Sequence, residues 1–120
     1  MGGIPYFFNE LKNKIKFIDW VECNNYPRIV LEQNCDISIM PLTENEFNCS
    51  KSSLKAREAF ASGMVCLGSV FNDSKFPSPY NEIHQSCQIK SDASEEDIEK
   101  TFKWIKNKDN WNTVKNWQYD

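Results

Sequence analysis

The sequence lacks several features that would place it in a broad functional class. No apolar run approaches the roughly 20 residues that a membrane-spanning helix needs. Lys and Arg number 14 against 17 Asp and Glu, a net charge of -3, so the chain lacks the basic surplus on which nucleic-acid binding depends. The initial MGGIPYFF has no basic start and no long apolar core, and it does not resemble a signal peptide. We therefore expect no membrane segment and no nucleic-acid partner.

The five cysteines show neither a disulfide pattern nor a zinc-binding pattern. Their number is odd and none stands in a C-x-x-C pair, so neither a disulfide scaffold nor a zinc site is indicated. Cys35 and Cys66 lie in apolar segments and are expected to be small buried side chains. His84 is the only histidine, and without a carboxylate or cysteine cluster it is expected in a surface loop. Ser-His-Asp, metal and P-loop patterns are also missing, so we expect no metal, no cofactor and a cytoplasmic location.

Strand and helix patterns alternate along the chain. Strands are predicted in four apolar segments, KIKFIDWV (14–21), CDISIMPL (35–42), MVCLGSV (64–70) and SCQIKS (86–91). Helices are predicted over 26–34, from Ser52 and Ser53 to Gly63, after Ser94, and in the final DNWNTVKNWQYD. Single helices between strands indicate a parallel sheet with helices on both faces. We expect residues 1–120 to form one α/β domain of this kind.

The loop TENEFNCSKSS follows a predicted strand, at the sheet edge where α/β proteins bind ligands. Ser52 and Ser53 suit the start of the next helix, whose free N–H groups and dipole favour an anion such as phosphate. Lys51, Lys55 and Glu58 recur at spacings of four and three, and therefore share one helix stripe. Two interpretations stay open. The stripe is either an ion-paired, solvated face with ordinary serine caps, or a phosphate cradle followed by a carboxylate for a ribose diol.

These residues resemble the donor-binding core of group 1, or family 4, glycosyltransferases. DISIMPLTENEFNCSKSSLKAREAFASGMVCLGSV is similar to the family's run from a D-I-x-I-x-P-L strand, through an N-x-F-N-x-x-K-S loop, into L-K-x-x-E-x-x-A-x-G. PSPYNEI resembles the family's later P-Y-x-E segment, and IKFIDWV with YPRIV resembles the strand, turn and helix before the core. The resemblance implies a GT-B enzyme of two Rossmann-like domains, of which this chain would be the C-terminal, nucleotide-sugar-binding half.

The resemblance also implies a role for particular residues. Glu58 would bind the donor ribose. The donor diphosphate would be surrounded by four polar residues, Lys51, Ser52, Ser53 and Lys55. The transferred sugar would lie beside Asn45, Glu46, Phe47 and Asn48, and the base near Trp20 and Tyr26. The implied substrate is a nucleoside diphosphate sugar, with no metal.

Two departures from the family pattern bear on activity. Ser50 stands eight residues before Glu58, where many members have the first glutamate of an E-x7-E pattern. The chain also has no room for the acceptor-binding N-terminal domain. We therefore expect a donor-binding domain that is poorly active alone, belonging to an enzyme that transfers a sugar to a glycan or lipid-linked acceptor, at the membrane periphery in its intact form. The alternative is a non-catalytic nucleotide-binding or protein-interaction module of the same fold.

The aromatic C-terminal region between Trp104 and Trp117 is expected to be an uncovered domain interface. Large apolar patches rarely stay bare on a soluble surface. The expected partner is the N-terminal GT-B domain, or a second copy of the chain that associates through this region.

Overall fold

The computed structural model describes residues 13–72, 75 and 77–119, and the chain divides into two units, Met1–Gln33 and Asn34–Asp120. In the first unit, helix α1 spans Tyr26–Glu32 with a proline in its first turn, as predicted. The predicted strand at 14–21 is wrong, because residues 15–22 form neither helix nor strand. A strand needs a neighbour for its backbone groups, and the described part of this unit offers none. The single-domain organisation stays a prediction.

The second unit contains the sheet. Its elements follow in the order β1 (Ile37–Met40), α2 (Glu46–Cys49), α3 (Leu54–Ala61), β2 (Val65–Val70), a 3-10 turn (Gln85–Cys87), β3 (Gln88–Lys90), α4 (Glu95–Lys106) and α5 (Lys108–Tyr119). The three strands are parallel and stand in the order β1-β2-β3. The predicted α/β, Rossmann-like fold with a parallel sheet is confirmed, and so is the prediction that the strands ending near Leu42 and Val70 are neighbours.

Both faces of the sheet carry helices, as predicted. Side chains of a strand alternate between the two faces. Leu67 of β2 and Ile89 of β3 line one pocket together with Phe102 of α4, so α4 covers that face. On the other face, the thiol of Cys66 donates to the carbonyl oxygen of Ala56 in α3 at 3.6 Å.

The core surrounds β2 and includes side chains of α3 and of the two C-terminal helices. Its most deeply buried side chains come from β2, the 3-10 turn, α4 and α5, and are Leu67, Ile105, Val65, Val114, Cys66 and Cys87. Burial of Cys66 is thereby confirmed. The expectation for Cys35 is wrong, because Cys35 is exposed. It stands in the exposed stretch 34–36 just before β1 begins, so the apolar segment that suggested burial starts after it.

Helix α5 is bonded to the turn that joins α3 to β2. Gly63 ends α3 with a positive φ of 82°, as predicted for a left-handed residue at this place. Three side chains of α5 donate hydrogen bonds to carbonyl oxygens of the last turn of α3 and of the connection after it: Lys115 Nζ to Gly63 (2.7 Å), Gln118 Nε2 to Met64 (3.0 Å) and the Tyr119 hydroxyl to Phe60 (2.8 Å). The Phe60 carbonyl oxygen also accepts the N–H of Gly63 at 3.1 Å, so the side chains of α5 add to a helix end that already has local backbone bonds.

Gly68 of β2 stands where two buried side chains approach the sheet. A Cβ atom there would lie 3.1 Å from both Ile83 Cδ1 and Tyr80 Cβ. We expect Gly68→Ala to lower the free energy of unfolding by about 1–3 kcal/mol, because overpacking forces neighbours to shift. Urea denaturation measures this change. Gly63→Ala is the matched control, since only its positive φ opposes alanine, at about 1 kcal/mol. A Gly68→Ala variant as stable as the parent would contradict this packing.

Two core thiols make stability depend on pH. Burial raises the pKa of Cys66 to about 12, with a further rise from nearby Cys87, and burial raises the pKa of Cys87 to about 11, both from 9.0. In the unfolded chain both thiols ionise near the ordinary value, so unfolding releases protons above it. Stability is therefore fully present below pH 9 and falls as the pH rises from 9 towards 11 and 12.

The expected loss is about 1.4 kcal/mol per pH unit for each thiol within that range. Urea denaturation at a series of pH values on both sides of the ordinary thiol pKa measures the slope. The double variant Cys66→Ala, Cys87→Ala is the control and should show a flatter profile. Parallel profiles for the parent and the double variant would rule out the thiols as the cause.

Candidate functional site

The connection from β1 to β2 carries most of the residues predicted to bind a donor. β1 ends at Met40, and α2 and α3 follow before β2 begins at Val65. Since β1 and β2 are parallel neighbours, the connection starts at the carboxyl edge of the sheet, where α/β proteins bind ligands. Residues 43–58 of this connection are called the candidate site below.

Two asparagine side chains hold the first half of the candidate site. Asn45 is the N-cap of α2, and its Oδ1 accepts the N–H of Asn48 at 2.7 Å. Asn48 is only 8% exposed, and its Nδ2 donates to the carbonyl oxygen of Thr43 at 2.7 Å. Both side chains thus fix the loop conformation. Their predicted place beside the transferred sugar stays a prediction.

The exposed surface of α2 carries an aromatic ring and a cation. Phe47 is 74% exposed, and Lys51 Nζ lies 5.3 Å from its ring centroid, within cation–π range. Glu46 is exposed in the first turn of the same helix. The hydroxyl of Ser50 donates to the carbonyl oxygen of Phe47 at 2.7 Å. Ser50 is therefore engaged within the loop.

The first backbone N–H groups of helix α3 donate no hydrogen bond to the side chain of its N-cap residue. Ser53 occupies the N-cap position, as predicted, but among the described residues its hydroxyl makes no cap hydrogen bond. The N–H of Arg57 bonds the carbonyl oxygen of Ser53 at 3.1 Å, which leaves the N–H groups of residues 54–56 without an intrahelical acceptor. The first turn contains no acidic residue. The helix start is thus electrostatically suited to an anion.

The prediction that Lys51, Lys55 and Glu58 share one helix stripe is wrong, because α3 begins at Leu54 and Lys51 precedes its N-cap, Ser53. The ion pairs in the described ranges 13–72, 75 and 77–119 lie on α1 and α4, and are Arg28–Glu32, Glu96–Lys100 and Glu99–Lys103. None of them includes Lys51, Lys55 or Glu58, and all three side chains are exposed, as is Ser52. The interpretation of these three residues as an ion-paired face therefore finds no support within the described part of the chain.

A pocket of about 330 Å³ opens at the carboxyl ends of all three strands, beside α4. Leu67, Ile98 and Phe102 line its apolar part, and Thr43 is shared with the candidate site. Ser69 Oγ accepts the N–H of Leu42 at 2.9 Å and so fixes the chain as it leaves β1. Our sequence analysis missed Ser69. In the sequence, the feature that could have identified Ser69 is a hydroxyl side chain near the end of an otherwise apolar strand.

The predicted base-binding residues belong to the first unit. Trp20 is 65% exposed and Tyr26 47% exposed. Trp20 lies in the segment without regular structure, and Tyr26 is the first residue of α1. Their role beside a base stays a prediction.

The C-terminal aromatic residues are partly packed against their own unit. His84 stacks on Trp104 with ring centroids 6.4 Å apart and meets the edge of Trp117 at 5.1 Å. His84 lies in a loop, as predicted, but it is half-buried, and its Nδ1 accepts the N–H of Ser86 at 3.1 Å. Trp111 Nε1 donates to a backbone carbonyl oxygen at 3.2 Å. Trp117 stays 44% exposed. Association through this region stays a prediction.

The described residues contain no group of three or more His, Cys, Asp or Glu side chains placed to hold a metal ion. Within the same residues, no helix combines the length and apolar character needed to cross a membrane. Comparison of the chain with protein-family models, with curated proteins and with solved structures found no match.

The asparagine pair of the candidate site can be tested by mutation. We expect Asn48→Ala to lower the free energy of unfolding by about 1–2 kcal/mol, because the Thr43 carbonyl loses its donor and a largely buried side chain is removed. Asn45→Ser keeps an N-cap acceptor and should change stability by only a few tenths of a kcal/mol, roughly the spread among good caps. Thermal or urea denaturation compares the two. Equal stabilities for both variants would contradict the role of Asn48.

Proposed function

We propose that this chain is the donor-binding domain of a glycosyltransferase that uses a nucleoside diphosphate sugar. The observation that carries the proposal is the connection from β1 to β2. It leaves the carboxyl edge of a parallel sheet and enters α3, whose N-terminus has no side-chain cap within the described residues. Lys51 before the helix and Lys55 and Glu58 on it are exposed and belong to no ion pair among those residues. The same residues carry the motif resemblance to group 1 glycosyltransferases.

The diphosphate is bound at the start of α3 in this proposal. The N–H groups of residues 54–56 point out of the helix end, and the helix dipole adds a partial positive charge. Lys51 and Lys55 are exposed and supply full positive charges beside them. Ser52 and Ser53 add hydroxyl donors. Backbone amides together with two ammonium groups match the two negative phosphates of a nucleoside diphosphate.

Glu58 binds the ribose of the donor in this proposal. It lies in the second turn of α3, beyond the proposed phosphate site, and belongs to no ion pair among the described residues. A carboxylate accepts hydrogen bonds from two vicinal hydroxyl groups, and such charge-assisted bonds contribute about 1.5–3 kcal/mol each. The transferred sugar lies beside Asn45, Glu46, Phe47 and Asn48, and the base near Trp20 and Tyr26.

The intact enzyme adds an acceptor-binding N-terminal GT-B domain and transfers the sugar to a glycan or lipid-linked acceptor, as in polysaccharide biosynthesis. We place it in the cytoplasm or at the membrane periphery, without a metal or other cofactor. Alone, the chain is expected to be poorly active, because the acceptor site and the closing domain are missing.

A second candidate is a nucleotide-binding or protein-interaction module without catalysis. Ser50 favours it, because its hydroxyl is bonded within the loop at 2.7 Å and supplies no acid at this position. Assays with the intact two-domain protein discriminate the two functions. Sugar transfer or donor hydrolysis supports the enzyme, whereas nucleotide binding without either reaction supports the module.

The ribose role of Glu58 predicts a loss of nucleotide binding without a loss of fold. We expect Glu58→Ala to weaken binding of the preferred nucleoside diphosphate by about tenfold or more, since 1.4 kcal/mol corresponds to a factor of ten. Stability should change by less than about 0.5 kcal/mol, as for most exposed side chains. Calorimetric titration with uridine, guanosine and adenosine diphosphates measures the binding.

Glu99→Ala is the matched control for this titration, because it removes an exposed carboxylate from α4 instead. It should bind the nucleotide like the parent. If the parent binds a nucleotide and Glu58→Ala binds it equally well, the ribose role is wrong. The intact two-domain protein provides the same comparison with a complete phosphate site.

A further inference from the structure

The pairing of β1 with β2 changes at the carboxyl edge of the sheet. Met40 and Gly68 are the last paired residues of the two strands. In a regular parallel ladder, the next bond would join the N–H of Leu42 to the carbonyl oxygen of Ser69. Instead, the N–H of Leu42 donates to the hydroxyl oxygen of Ser69 at 2.9 Å. The side chain of Ser69 therefore takes the place of its own carbonyl group, just before the candidate site begins.

The carbonyl oxygen of Ser69 is bonded to a different connection. It accepts the hydroxyl of Ser78, a buried side chain between β2 and β3. The Ser78 hydroxyl oxygen in turn accepts the N–H of Tyr80 at 3.1 Å. Ser69 thus holds two connections at the same edge of the sheet, one through its side chain and one through its backbone. Without the Ser69 hydroxyl, the N–H of Leu42 would have to compete with Ser78 for the carbonyl oxygen.

The bond to Leu42 continues into the candidate site through the residues that follow. Thr43 comes directly after Leu42, and its carbonyl oxygen accepts the side-chain amide of Asn48 at 2.7 Å. The N–H of Asn48 donates to the side chain of Asn45, also at 2.7 Å. These bonds lead from the sheet to α2, which immediately precedes α3. The position of α2 relative to the sheet therefore depends on the bond between Ser69 and Leu42.

We propose that Ser69 is a positioning residue for donor binding. Its hydroxyl holds the start of the connection from β1 to β2, so that α2 and the start of α3 are in place before the ligand arrives. This inference rests on the proposed function. Ser69 acts indirectly, through Leu42 and Thr43. A loop that is already fixed loses less freedom on binding, so removal of the hydroxyl should weaken nucleotide binding without abolishing it.

Two substitutions of the same shape isolate the hydroxyl group. Ser69→Thr keeps the oxygen, whereas Ser69→Val has a methyl group in its place. Ser69 lines the pocket of about 330 Å³, which leaves room for the methyl group that both variants add. We expect Ser69→Thr to bind the preferred nucleoside diphosphate like the parent, and Ser69→Val to bind it roughly threefold to tenfold more weakly. Calorimetric titration with uridine, guanosine and adenosine diphosphates measures this, on the chain and on the intact two-domain protein.

Two further measurements separate positioning from a general loss of stability. Val114→Ala truncates a buried side chain of α5, so it should lower stability without weakening nucleotide binding by the folded protein. The amide hydrogen of Leu42 should exchange about tenfold faster in Ser69→Val than in Ser69→Thr, because only the valine variant lacks the acceptor. If Ser69→Val does not fold, Ser69→Ala removes the same oxygen with less bulk and takes its place.

The outcomes distinguish this inference from the proposed function. If the parent binds a nucleotide and Ser69→Thr and Ser69→Val bind it equally well, the role of Ser69 is wrong while the proposed function stands. The same conclusion follows if Val114→Ala weakens binding as much as Ser69→Val does, because loss of stability then explains both. If neither the chain nor the intact protein binds any of the three diphosphates, the proposed function fails and this inference fails with it.

Discussion

The pairing of β2 with a strand on each side is the interaction on which the second unit depends. Residues 65–68 of β2 are all buried, and their hydrogen bonds fix the register of both β1 and β3. Parallel neighbours cannot be joined by a tight turn, so the chain must leave the carboxyl edge and return through a helix. The candidate site is this return path. The register that completes the core therefore also positions the residues that would meet a ligand.

The candidate site separates the groups that hold its backbone from the groups that face solvent. Asn45, Asn48 and Ser50 bond backbone atoms within the loop, whereas Lys55 and Glu58 extend into water. A loop whose short polar side chains satisfy its own backbone keeps one conformation without help from a ligand. Long charged side chains on such a loop lose less freedom on binding than they would on a mobile one.

Much of the fold could be predicted from local patterns, and the exceptions have physical causes. The start of α4 could be predicted from Ser94, a residue typical of helix N-caps. Its hydroxyl accepts the N–H of Asp97 at 3.2 Å in the structure. The prediction of a strand at 14–21 was wrong, because the alternation of side chains along one segment does not show whether a neighbouring strand is there to pair with it. Helix α2 is four residues long, too short for a periodic signal. The α4 pocket joins Leu67 to Phe102, a contact between distant segments that no local pattern encodes.

The hydrogen bonds from α5 to the turn after α3 determine the order in which the chain becomes rigid during synthesis. They join residues 52 to 59 positions apart. Translation adds residues one at a time from the N-terminus, so α3 is synthesised before Tyr119. Until then, the end of α3 is held only by local backbone bonds, such as that from the N–H of Gly63 to the carbonyl oxygen of Phe60 at 3.1 Å. The helix proposed to bind phosphate is thus synthesised before its anchor, which is complete only when the last turn of α5 has been made.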